Sequence, residues 1–110
     1  MKLITLDEAK AYLRVDSADE DAVIGTLLSA AGNLCVDVAR LKPEQWAEID
    51  SDSMDGELYS LGELQTLRET MKVAILYALG YLNEHREDAD HHALTLTLRS
   101  LLVAIREGVV

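Results

Sequence analysis

Three aspartates and a glutamate crowd the stretch Asp50-Ser51-Asp52-Ser53-Met54-Asp55-Gly56-Glu57, and spaced carboxylates are what a calcium ion takes. An EF-hand loop needs glycine at its sixth position and a bidentate glutamate at its twelfth. Counted from Asp50, those positions hold Asp55 and Leu61, so the stretch reads as a solvated acidic loop. A second cluster, His85, Asp88, Asp90, His91 and His92, has zinc-ligating residue types. Adjacent histidines on a helix point about 100° apart, and no second ligand pair lies elsewhere to complete a tetrahedral set. It reads as a hydrophilic turn. Cys35, the single cysteine, sits among apolar residues, which fits a small buried hydrophobe better than a nucleophile. There is no G-x-S-x-G, no phosphate-cradling glycine loop and no Cys–His signature. The expectation is no catalysis, no metal and no cofactor.

The remaining chemistry is that of contact. Arg14, Arg86 and Arg106 fall at expected helix ends, where a cation either complements the helix dipole or pairs with a carboxylate on a neighbouring copy. Trp46 and Tyr59 bracket the acidic loop, as completions of the core or as anchors at an interface. Asp16, Asp19, Glu20 and Asp21 crowd one tight corner of the chain.

The elements that position these residues are helical. Thr5 and Glu8 have capping-box spacing, and Leu6, Ala9 and Leu13 follow as an apolar stripe over a helix at 5–14. Ser17 and Glu20 repeat the spacing, and the corner acids suit the first turn of the next helix. Ile24, Leu27, Leu28, Ala31, Leu34, Cys35, Val38 and Leu41 keep the 3.6-residue period, so that helix is expected over 18–41 and must stop before Pro43. PEQWAEI reads as a short helix opened by Pro43. Ser60 and Glu63 start the longest helix, 61–86, with its stripe running from Leu64 to Leu82; Gly80 inside it points to a close helix approach. The last segment alternates at Leu94, Leu96 and Leu98 like a strand. Leu94, Leu98, Leu101, Leu102 and Ile105 favour one helix over 93–107, stopped by Gly108. The expected fold is all-α: a small bundle of about four to five helices with the two long ones antiparallel, in one domain covering residues 1–110.

Composition agrees. Apolar residues make up 49% and phenylalanine is absent, so Leu, Ala, Val and Ile must build the core. No segment is read as long and apolar enough for a membrane, and no signal peptide is read at the start; a soluble protein made in a cytoplasm is expected. The formal net charge is −10. Residues 1–60 hold thirteen acids against five bases, and 44–57 hold six acids and no base. Such a chain repels nucleic acid or imitates it.

Three blocks carry a resemblance. LDEAKAYLRVDSADEDAVIGTLLSAA, with Leu13, Arg14, Val15, Asp16, Asp19, Glu20, Asp21 and Ile24, resembles the N-terminal signature of small tailed-phage head–tail connector proteins, the adaptors beneath the portal. AILYALGYLNEHRE, with Asn83, Arg86 and Glu87, is similar to that family's later long helix. Leu101, Leu102 and Arg106 are similar to its closing helix. Ile105 stands where that family usually has an aromatic, and 42–60 matches nothing in it. The resemblance implies an all-helical structural subunit, synthesised in a bacterial host and located at the head–tail junction of the virion. It implies a ring of about a dozen copies that docks on the portal protein, receives a head-closure or tail-completion protein, and lets DNA pass without specific binding, with no membrane and no reaction. The acid-rich stretches would then suit a channel wall that repels phosphate. An acidic DNA mimic inhibiting a basic partner is the best competing expectation; a helical regulatory module is another.

Overall fold

The computed structural model describes residues 1–54 and 56–108. These residues form six α-helices and no strand: α1 Leu6–Leu13, α2 Asp21–Ala39, α3 Pro43–Ile49, α4 Leu61–Glu84, α5 His91–Leu101 and α6 Val103–Arg106. Asp55, one of the loop acids weighed above for calcium, lies outside them. The 24 residues of α4 span roughly 36 Å and so set the long dimension of a body measuring 39 × 28 × 19 Å. The two long helices pack together and run antiparallel. Glu20, just before α2, meets Arg86, just after α4, while Ala39 at the end of α2 shares a cleft with Leu67 near the start of α4.

Two of the three expected capping boxes form. Thr5 Oγ1 accepts from Glu8 N–H and the Glu8 carboxylate from Thr5 N–H; Ser60 and Glu63 do the same. Ser17 and Glu20 do not. The Ser17 hydroxyl accepts from Asp19 N–H, Glu20 turns to Arg86 instead, and α2 begins at Asp21 rather than 18. Glu20 at its N-cap makes no side-chain capping bond.

The far end of α2 also differs from expectation, stopping at Ala39 rather than 41. Arg40 takes the left-handed conformation (φ 57°), and Leu41 N–H reaches back to Val36 C=O. The end of α1 is built the same way: Arg14 has φ 59° and Val15 N–H reaches Lys10 C=O. This is the Schellman closure, usually made by glycine. Val15 and Leu41, partly buried against the core, supply the apolar contact that accompanies it. A Cβ in that region is costly, so Arg14→Gly should raise stability by about 0.5–1 kcal/mol in chemical denaturation.

The last helix is two pieces, not one. The chain bends at Leu102 (φ −106°, ψ 10°), where that fully buried side chain is held in the core. Beyond the bend, Arg106 reaches the end of α2. Gly108, at φ 70°, stops the segment as expected. α4 ends at Glu84, two residues early, where His85 leaves the helical region.

The core is aliphatic. Ile24, Leu28, Ala31 and Cys35 of α2 face Leu64, Met71, Ile75 and Leu79 of α4, with Ala9 of α1 and Leu94, Leu98 and Leu102 closing its sides. One expectation needs correcting: α2 does reach the length and apolar content of a membrane-crossing helix. Its charges lie only at Asp21 and Asp37, and Thr26, Ser29 and Asn33 between them are uncharged. The side carrying Ile24, Leu28, Ala31 and Cys35 is spent on packing against the bundle. Gly80 allows the close approach expected of it, to α1: a Cβ there would meet the Tyr12 ring at 3.3 Å.

Cys35 is fully buried, and burial pushes its thiol up to about 12 from an ordinary 9.0. The native thiol should therefore be inert to a disulfide reagent at pH 8, with one equivalent released on denaturation. Between pH 9 and 12 the unfolded chain loses this proton and the folded chain keeps it. Stability should fall with rising pH there by about 1.4 kcal/mol per unit from this group. Cys35→Ala should flatten that part of the profile.

Candidate assembly surfaces

The three arginines singled out at helix ends have different fates. Arg86 Nη1 and Nη2 donate to the Glu20 carboxylate at 3.2 and 3.3 Å, and Nη2 donates to Asn83 Oδ1 at 2.7 Å. The pair ties the α1–α2 corner to the end of α4 within one chain. Both partners are more than a third exposed, so it contributes only about 0.2–1 kcal/mol and its role is register. Arg106 Nη1 donates to Val38 C=O at 3.0 Å and so caps the last turn of α2, not its own helix. Arg14 makes its turn with its backbone, and its exposed side chain has no partner among the described residues.

At the acidic corner, Asp21 is reached by Lys10 Nζ at 2.8 Å and Glu20 by Arg86. Asp16 and Asp19 are exposed, with no side-chain partner among the described residues. The 85–92 connector is organised by Tyr81. Its ring stacks on His85 with centroids 4.3 Å apart, its hydroxyl accepts from Asp90 N–H at 2.9 Å, and Asp90 in turn caps α5 at Ala93 N–H. Among the described residues no three His, Cys, Asp or Glu side chains are grouped to hold a metal ion.

The described residues of segment 42–60 are fastened at several points. The Glu48 carboxylate accepts from the backbone N–H groups of Glu57, Leu58 and Tyr59. Desolvation raises the Glu48 carboxyl, but these three donors and nearby Arg68 outweigh it and hold the group below the usual carboxylate range. Gly56 is required beneath it, because a Cβ would collide with the carboxylate and with Tyr59 C=O. Arg68 of α4 donates from Nε to Ile49 C=O and from Nη2 to the carbonyls of Glu48 and Ser53. Asp50 Oδ1 accepts from Lys2 and Leu3 N–H at 2.8 and 2.7 Å, fastening the N-terminal strip. Glu48 and Asp50 are thus structural, leaving Glu44, Asp52 and Glu57 as exposed negative charge on the described part of the segment. Trp46 and Tyr59, the weighed interface anchors, lie partly buried against the core.

Sequence reasoning missed two features. Arg68 is one. The other is the outer face of α5 and α6, where Leu96 and Val103 are each 49% exposed and line a groove with Arg99 and Arg106. The spacing 96, 99, 103, 106 is itself a helical stripe on the face opposite Leu94, Leu98 and Leu102, and that signal was available.

No protein-family model, no curated protein and no solved structure matches this chain.

Proposed function

We propose that the chain is a structural subunit of the ring joining a phage portal to its tail or head-closure proteins, with genomic DNA passing through the lumen. One observation carries the reading. The three blocks that resemble head–tail connectors are separate in sequence, and in the fold the first block and the helix it opens are tied to each of the other two. Glu20 of the first block bonds Arg86 and, through it, Asn83 of the second. Arg106 of the third holds Val38 at the end of the helix that the first block opens. Residue types recurring at tie points rather than on random surface are what a shared architecture requires.

The physical case for a ring is that a small domain carries a modest core and leaves apolar side chains outside it. Val73, Leu96, Val103 and Tyr12 are between 49% and 60% exposed, and copies of the chain can cover them through heterologous contacts that close by rotation. No catalytic step is assigned. In the competing reading, Asp16, Asp19, Glu84, Glu87 and Asp88, all exposed, stand in for phosphates before a basic protein.

The test is electron microscopy of the purified chain mixed with a portal ring. The connector reading expects rings seated coaxially on the portal. A chain that ignores the portal and binds a basic nuclease or repressor with steep salt dependence would instead establish the mimic.

A further inference from the structure

Charge is distributed unevenly along the long axis. At the α2 start and α4 end, Asp16, Asp19, Glu84, Glu87 and Asp88 are exposed and lack partners among the described residues. The bases at this end are Arg86, already paired with Glu20, Lys10, already paired with Asp21, and Arg14. Glu84 also borders a cleft lined by Tyr12 and Tyr77, rings that are 49% and 42% exposed. At the other end of α2, roughly 27 Å away along its 19 residues, Arg40, Arg99 and Arg106 gather. Partial burial, and then the closeness of Arg40 and Arg99, disfavour the charge on Arg106, with Glu107 opposing. None of the three arginines has a carboxylate partner among the described residues. Between them lie the exposed Leu96 and Val103.

In a chain of net charge −10, three mutually repelling arginines beside uncovered apolar side chains form a surface suited to an acidic partner with apolar contacts. The chain carries its complement at the opposite end: carboxylates flanking exposed tyrosines. Arginine suits such a contact, since its guanidinium both pairs with carboxylates and stacks on aromatic faces.

We propose that the outer face of α5 and α6, with Arg40, Arg99, Leu96 and Val103, docks onto the Tyr12–Tyr77–Glu84–Glu87 face of a second copy of this chain. The contact is heterologous, so each copy offers one face and receives the other, and repetition extends until rotation closes it. This deepens the ring reading and rests on it, by naming the two surfaces that meet. Duplex DNA, the other polyanion that an arginine face could take, is disfavoured by the net charge.

The experiment uses two full-length variants at exposed positions without internal partners, Arg99→Glu and Glu87→Arg, whose helicity and melting should match the wild type. Sedimentation velocity at low salt should show the wild type assembling beyond two copies. Each variant alone should associate about a hundredfold more weakly, since like charges are brought face to face. Mixed one to one, the intact acidic face of Arg99→Glu meets the intact basic face of Glu87→Arg, and the two altered faces again bring opposite charges together, so alternating copies should regain much of the wild-type assembly. Rings formed equally well by both variants would overturn this pairing of surfaces and leave the ring itself standing. A wild type that stays monomeric at high concentration would overturn self-docking, with the connector reading then judged by portal binding. Tight binding of a short duplex DNA, lost in Arg99→Glu and unaccompanied by self-association, would also overturn it.

Discussion

Replacing Arg68 with alanine should destabilise the protein by about 2–3 kcal/mol, far more than an arginine on the flank of a helix usually costs. Its guanidinium holds the carbonyls of Glu48, Ile49 and Ser53, and the first two belong to the last turn of α3, where the dipole is negative. Without it, part-buried carbonyls lose a charged donor. The Glu48 carboxylate loses a nearby cation, and its grip on residues 57–59 loosens with it. Arg68→Lys should recover less than half the loss, because a single ammonium cannot reproduce the fork that serves α3 and Ser53 together. Denaturant titration gives the magnitude. Hydrogen exchange adds location: the Glu57, Leu58 and Tyr59 amides should exchange faster while those at the centre of α4 stay protected. A loss under about 0.5 kcal/mol, the range of an ordinary surface substitution, would contradict the anchoring role. The same anchor sets an acid limit. The Glu48 carboxyl is held below its ordinary 4.5, so its contribution is complete above pH 4.5 and is lost as pH falls through the lowered folded value. Glu48→Gln should remove that part of the acid transition.

The second large effect separates two leucines that the sequence makes look alike. Leu98 is fully buried and Leu96 is 49% exposed. Leu98→Ala should cost about 3 kcal/mol, as expected for a leucine lost from a packed core. Leu96→Ala should change the monomer by less than about 0.5 kcal/mol but weaken self-association. A strand would have put Leu94, Leu96 and Leu98 on one face, making the two substitutions equally damaging. Equal losses, or an assembly indifferent to Leu96, would contradict the helix register and its outer face.

Where the sequence was legible, the signal was local. Thr5 with Glu8 and Ser60 with Glu63 cap the helices they precede, because both partners lie within one turn. Ser17 with Glu20 has identical spacing and forms no box, because Glu20 finds a fork of donors 66 residues away. Nothing in the corner shows that competitor. The early ends of α1 and α2 were hidden for another reason: left-handed closure is expected at glycine, and here arginine performs it twice. The loop after α3 was legible as a loop from Gly56 and its acids. The bonds that fasten it were not, since Arg68 reads as one more charge on a long helix until its carbonyl partners, up to 20 residues upstream, are brought alongside.

The same division runs through the candidate surfaces. Asp16 and Asp19 stand free, as their position at a corner suggests, whereas Arg86 and Arg106 serve their own chain. The outer stripe at Leu96, Arg99, Val103 and Arg106 was overlooked because the inner leucines dominate that segment's periodicity.

The central claim is that copies of this helical bundle close around an axis. Native mass spectrometry of the full chain at high protein concentration and low salt tests it most directly. The account predicts one dominant closed species of about a dozen subunits, giving way to monomer as salt screens the contacts. A population confined to monomers or symmetric dimers that also ignores the portal would contradict it.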